Sequence, residues 1–306
     1  MATAAAPTSP PAAPPPPPPA AAAAAVPLRE HLASVTAEPH LASVLTAIAA
    51  AVEEVAAAVR TGLTRKCATF NAFGDEQLEI DVIADEIIVR HLRTSTSAVC
   101  VASLFAVFPG DALTGAAMTG RDAVASVLVT YGPRTMLYVA LRGVAGVAEA
   151  LLVPGGGGGG QPGGWSVLRV LHGWVPGKRL FAPGNLRATG DNPGYRRLVD
   201  AWLDARYTLR YTGALVADVV NLLIAGGGVF CNAVSAAAPA KLRLLHELIA
   251  VALVVEAAGG VASTGGGALL DVPIVHAEVR CAVCVGGGEE VRRYDEWVGP
   301  AAAAQE

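Results

Sequence analysis

Apolar residues recur at intervals of three and four from position 41 onward: Leu41, Val44, Leu45, Ile48, Val52, Val55 and Val59. That spacing gathers them on one face of a helix, so it predicts a helix over 41–59 ended by Gly62. A second helix is expected over 76–92, with Leu78, Val82, Ile83, Ile87 and Leu92 inward and Asp75 capping its start. The period then shortens. Stretches 99–108 and 135–141 read as strands, 147–153 answers across a glycine-containing turn, and 165–175 continues a largely antiparallel sheet. Beyond 180, helices expected over 195–205, 215–224 and 241–258 alternate with strands at 229–232 and 279–285, and glycines close the last two helices. The pattern implies an α/β fold of two domains, with mixed sheets flanked by helices.

Composition narrows the class. The chain has 306 residues, 53% hydrophobic and 16% charged, enough for a sizeable core, which excludes a disordered or fibrous protein. The apolar runs are interrupted, by Glu53 and Glu54 in the first helix and by Glu256 in the last, so no membrane-crossing stretch is expected. With 22 basic and 26 acidic residues intermixed there is no basic stripe, and nucleic acid is not an expected partner. Five cysteines, thinly spread and odd in number, suit a reducing compartment. Residues 1–27 form an Ala/Pro-rich tail holding 10 of the 21 prolines. The expected domains are 28–178 and 179–299, with a short tail at 300–306. The tract PGGGGGGQPGG at 154–164 lacks the Lys and Ser or Thr of a phosphate loop and reads as an expanded turn.

Three clusters could carry chemistry. Asp75, Glu76, Glu79 and Asp81 crowd a helix start, either as capping charge or as an acidic group that holds a metal or activates water. Tyr207, Arg210 and Tyr211 precede an apolar helix whose N–H groups favour an anion; the cluster suits a phosphate, or is ordinary packing with a hydrogen-bonded edge. Lys241 and Arg243 stand at the start of another apolar helix, where cations oppose the helix dipole; a phosphate or Glu247, four residues on, would compensate. Glu247 is also a candidate metal ligand. Cys281 and Cys284 look like a half-site, but three residues apart on a strand they face opposite ways and are expected in the core. His91, His172 and His276 suggest no ligand set.

The segments FNAFGDEQLEIDVIADE (70–86), FPGDALTG (108–115), YGPRT (131–135), FAPGNLRATGDNPGY (181–195), YTLRYTGALVADV (207–219) and KLRLLHE (241–247) resemble, in order and spacing, the sedoheptulose branch of the fructose-1,6-bisphosphatase family. The resemblance implies an α+β sandwich, a magnesium ion (Mg2+) and removal of the C1 phosphate from a sedoheptulose or fructose bisphosphate in carbon fixation or carbohydrate metabolism. By the same resemblance Asp75 and Asp81 match the acidic pair that organises the attacking water. Glu247 matches a metal ligand, and Arg243 the contact to the scissile phosphate. Asn185, Tyr211 and Lys241 match the cradle of the distal phosphate, and Arg210 an arginine lent to the neighbouring subunit of a homodimer or homotetramer. Cytoplasm and plastid stroma both suit the family.

The chain also departs from the family. The Glu-Glu pair and the Asp-Pro-x-Asp-Gly-Ser/Thr motif, which supply most of the family's metal ligands, are absent between His91 and Phe105. Magnesium wants near-octahedral oxygen coordination, which Asp75, Asp81 and Glu247 alone fall short of. Beside the enzyme reading there stand a relative that binds phosphosugars without turnover and a translation that lost an internal segment.

Overall fold

The structure is a computed structural model that describes residues 26–60, 66–70, 76–92, 98–99, 102–110, 118–153 and 163–299. The proline-rich tail up to residue 25, Asp75, the glycine tract 154–162 and residues 300–306 lie outside the described residues, as do Cys100 and the stretch 93–97.

The first half is built of β1 (Val26–Pro27), α1 (Leu28–Val35), α2 (Pro39–Arg60), β2 (Lys66–Phe70), β3 (Glu76–Leu78), α3 (Glu79–Leu92), β4 (Ala98–Val99), β5 (Ala102–Val107), β6 (Ala125–Thr130), β7 (Met136–Leu141), β8 (Val147–Val153) and β9 (Gly164–Leu171). Seven of its strands form an antiparallel sheet in the order β1-β9-β8-β7-β6-β5-β4. The second half holds β10 (Leu180–Gly184), α4 (Pro193–Asp204), β11 (Thr208–Leu209), α5 (Leu215–Ala225), β12 (Val229–Asn232), α6 (Ile249–Ala257), β13 (Val261–Ser263), β14 (Val283–Gly286) and α7 (Gly288–Trp297). Its five strands run β11-β10-β12-β14-β13; the first three are mutually parallel and the rest antiparallel.

The strand side chains explain the layering. Along β7, Leu137, Val139 and Leu141 face one core with α1, α2 and α3, while Met136, Tyr138 and Ala140 face another with α5 and α6. In the second sheet Phe230, Val283 and Val285 join that same central core, and Val229, Cys231 and Cys284 turn to a third core with α4 and α7. A period of two thus feeds three cores, and the result is an α-β-α-β-α sandwich. The α/β class with mixed sheets flanked by helices holds. α2 is the one described helix long and apolar enough to cross a membrane, and its apolar face, with Leu45, Ile48, Val52 and Val55, is covered by the first sheet and its neighbours.

Several expectations shift. The helix expected from 76 begins at Glu79, after a three-residue strand. β6 and β10 were not read from the pattern, nor were α1 and α7. β6, ASVLVT, is buried along nearly its whole length, so it shows no polar alternation. The expected helix over 241–258 starts late: Arg243 has extended backbone (φ −87°, ψ 133°), a π-helical turn spans Leu244–Leu248, and α6 follows.

Candidate functional site

Parallel strands β11, β10 and β12 end on the same side of the second sheet, the end at which open α/β sheets bind ligands. Arg210 and Tyr211 follow β11, Asn185 follows β10, and the loop 233–240 that follows β12 leads into Lys241. The topology therefore brings four of the sequence-predicted residues, spread from Asn185 to Lys241, to one sheet end.

Ties from the motif FAPGNLRATGDNPGY fix that loop. Asn185, in the left-handed region at φ 51°, donates its amide to the carbonyls of Ala233 (2.7 Å) and Ala238 (3.0 Å). Asn192 caps α4 by accepting from Tyr195 N at 2.9 Å and donates to Val234 O at 3.0 Å, while Asp191 accepts from Ala237 N at 2.9 Å. Gly194 lets α4 pack against the end of α7, since a Cβ there would lie 1.6 Å from the Trp297 carbonyl oxygen. The Asn185 amide thus holds the loop rather than reaching outward.

The N–H groups ahead of α5 already have an anion. Asp218, fully buried in the first turn of α5, accepts from Thr212 N (2.6 Å), Thr212 Oγ1 (2.7 Å) and Gly213 N (3.2 Å). These donors lie just ahead of the helix and an internal carboxylate takes them; the N–H groups of Leu215, Val216 and Ala217, in the first turn itself, are not among them. Tyr211 beside them is 41% exposed; partial burial and then the Asp218 charge push its phenol above the usual value. Arg210, just after the edge strand, is exposed; its N–H donates to Phe181 O at 2.8 Å and its Nη1 to Leu209 O at 3.0 Å.

Arg243 has extended backbone, and the strip from Lys241 to Leu244 runs beside residues 278–281. Leu244 N donates to Val279 O at 2.7 Å, Cys281 N to Leu242 O at 3.3 Å, and Arg243 bridges Arg280. Lys241 is exposed, whereas the Arg243 side chain is 13% exposed with Nε 3.5 Å from Glu278 Oε2. Glu247 Oε2 accepts from Arg243 N at 2.7 Å, so the carboxylate caps the turn through the backbone. Arg243 stands at the N-cap of the π-helical turn, where a cation opposes the helix dipole, and Glu247 in the first turn supplies the compensating carboxylate. Burial and the Arg243 charge hold His246 below its ordinary value, against the pull of Glu278. A cleft of about 630 Å³ opens next to the strip, lined in part by Pro239, Ala240, Thr264, Asp271 and Arg280.

Of the acidic pair, Asp75 lies outside the described residues; Asp81 sits on α3, its side chain likewise outside them. Among the described residues no three His, Cys, Asp or Glu side chains converge on a point that could hold a metal ion. The described residues therefore do not fit magnesium on their own. Cys284 faces the outer core opposite Cys231 on β12, and Cys281 the central core, so both are buried thiols. Burial pushes the Cys231 thiol to about 12 and that of Cys284 well up, which leaves neither nucleophilic. Asp218, Glu278 and Arg280 were not singled out from the sequence. Asp218 left one signal, an acid in the first turn of an otherwise apolar helix; the other two left none.

Residues 175–299 match the profile of the fructose-1-6-bisphosphatase C-terminal domain. The chain is 36% identical to the chloroplastic sedoheptulose-1,7-bisphosphatase of Chlamydomonas reinhardtii over 308 aligned residues, covering 89% of this chain and 77% of that one. It is 35% identical to its counterpart from Triticum aestivum, covering 88% and 76%. A solved structure from Toxoplasma gondii, assigned as a sedoheptulose-1,7 bisphosphatase, superposes with a TM-score of 0.76 at 32% identity, over 92% of this chain and 99% of that one. Leishmania major fructose-1,6-bisphosphatase in holo form gives 0.74 at 22% identity, over 90% and 99%, a likeness of fold.

Proposed function

Starting from a chain that belongs to the sedoheptulose-1,7- and fructose-1,6-bisphosphatase family, we propose that it is a sugar-bisphosphate phosphatase of carbohydrate metabolism. Its substrate is sedoheptulose-1,7-bisphosphate or fructose-1,6-bisphosphate, and the C1 phosphate is removed. One observation carries this reading: three parallel strand ends deliver Arg210, Tyr211, Asn185 and the Lys241–Arg243 strip to one side of the second sheet.

In this reading Arg243 grips the scissile phosphate through charge-assisted hydrogen bonds, and Lys241 and the Tyr211 hydroxyl hold the distal one. Asn185 acts on the cradle from behind, through the loop carbonyls it ties. Asp75 and Asp81 orient and deprotonate the water by resemblance to the family. Glu247 would be one carboxylate of a magnesium site, and no step here is routed through that ion. Arg210 is exposed just after edge strand β11, between exposed Leu209 and Tyr211, which supports its reaching a second copy in a homodimer or homotetramer. Chloroplastic relatives support the plastid stroma, and the cytoplasm is the alternative compartment.

The test is phosphate release from each bisphosphate with and without added magnesium, in the wild type, Lys241→Ala and Glu247→Gln. Release that needs magnesium, a raised KM in Lys241→Ala and loss of turnover in Glu247→Gln are expected. Tight bisphosphate binding with no release under any condition would remove the hydrolase and leave only the cradle.

A further inference from the structure

The end of α2 and the bend between β6 and β7 border a cavity that the proposed reaction does not use. It measures about 480 Å³ and is lined in part by Arg60, Arg134, Thr135, Leu151, Leu152 and Val153. That volume is in the range of pockets that hold a small organic molecule. The three polar side chains have donors to spare. Arg60 gives its Nε to Ala56 O at 2.9 Å, which leaves both Nη groups. Among the described residues the Arg134 side chain makes no hydrogen bond or ion pair, and it is exposed. Thr135 is only 7% exposed; Leu152 N donates to its carbonyl at 3.0 Å, but its hydroxyl has no hydrogen-bond partner among the described residues.

The two positive charges have no acid beside them. Among the described residues no carboxylate lines the cavity, and Glu149, on the strand next to β7, is already held by Arg169 at 2.5 Å. The chain that continues from the rim, 61–65 after Arg60 and 154–162 after Val153, contains no Asp or Glu. A cation at the C-terminal end of α2 answers the helix dipole, which accounts for Arg60 alone. It leaves unexplained a second arginine and, between strands, a buried hydroxyl without a partner, a group that normally finds one. We propose that this cavity is a second phosphate site, taking a small organic phosphate: the two guanidiniums and the Thr135 hydroxyl hold the phosphate group, and Leu151, Leu152 and Val153 cover the organic part. It belongs to the first sheet, apart from the Lys241 strip, and does not depend on the hydrolase reading.

Calorimetry with phenyl phosphate, without magnesium so that nothing turns over, tests this in the wild type, Arg134→Ala, Thr135→Val and Lys241→Ala. A binding event is expected that Lys241→Ala leaves in place, that Arg134→Ala weakens about tenfold or more, and that Thr135→Val weakens about threefold. Benzoate, with one charge and two oxygens, should bind about tenfold more weakly than phenyl phosphate. Arg134 is exposed and Thr135→Val keeps the side-chain shape, so the thermal midpoints should stay close to that of the wild type. A wild type that does not bind phenyl phosphate overturns the proposal. So does binding that Lys241→Ala abolishes and Arg134→Ala leaves intact, because the strip alone would then hold the phosphate. Equal affinity for benzoate would overturn the assignment to phosphate.

Discussion

The two sheets of this protein use the same strand chemistry for different ends. The seven-stranded sheet is antiparallel and covered on both faces, and β7 is buried from Met136 to Leu141. The five-stranded sheet has three parallel strands whose ends open into loops, and those loops are held by side-chain amides and carboxylates: Asn185, Asn192, Asp191 and Asp218. Apolar burial is non-directional, so it builds a scaffold but cannot aim a side chain. Hydrogen bonds are directional, and the second sheet uses them to hold the loops at its parallel strand ends. The first sheet supplies stability and the second supplies geometry.

That division can be broken most forcefully at Leu128, which is fully buried in the central core beneath α6. Leu128→Ala should cost roughly 2–5 kcal/mol in urea unfolding. Because the central core joins both sheets, one cooperative transition is expected, with ligand affinity of the folded fraction unchanged. Two transitions, or a matching loss of affinity, would show that scaffold and site are not separable in this way.

Asp218→Asn should have a smaller effect on stability, about 1–3 kcal/mol for weakening a buried acceptor of three hydrogen bonds. It should raise KM for the bisphosphate more than its stability cost suggests, because the loop it braces carries Tyr211. An unchanged KM would place Asp218 with the scaffold.

The smallest effect is expected at the joint between the halves, where Arg121 reaches Glu256 (2.6 Å) and Asp271 (2.7 Å). Asp271 is largely exposed, so Arg121→Gln should cost no more than about 1 kcal/mol, shrinking as salt is raised. A larger, salt-insensitive loss would make this pair, rather than the shared apolar core, the main link between the halves.

Much of this was legible before the fold. The spacing of Leu45, Ile48, Val52 and Val55 gave α2 to within two residues, and α4 and α5 were found as closely, because one face of each is buried and the other wet. β6 was illegible for the opposite reason: buried on both faces, it has no polar rhythm. The motifs drew attention to Asn185, Lys241, Arg243 and Glu247, but not to how each is used. That Asn185 gives its amide to the 233–238 loop, and that Glu247 caps a turn through Arg243 N, required partners to be seen.

By itself the sequence determined the α/β class, most helices and several strands of the first sheet, because hydrophobic period is a local property of each element. Only the tertiary structure decided that Lys241 and Arg243 precede the helix and that Arg243 lies extended, since the neighbouring Leu242 and Leu244 find their backbone partners in Cys281 and Val279, more than thirty residues on. It alone also set Glu278 against Arg243 and Asp218 under the Thr212 loop. A hydrogen bond or ion pair depends on where two chain segments meet, and no local periodicity records that meeting.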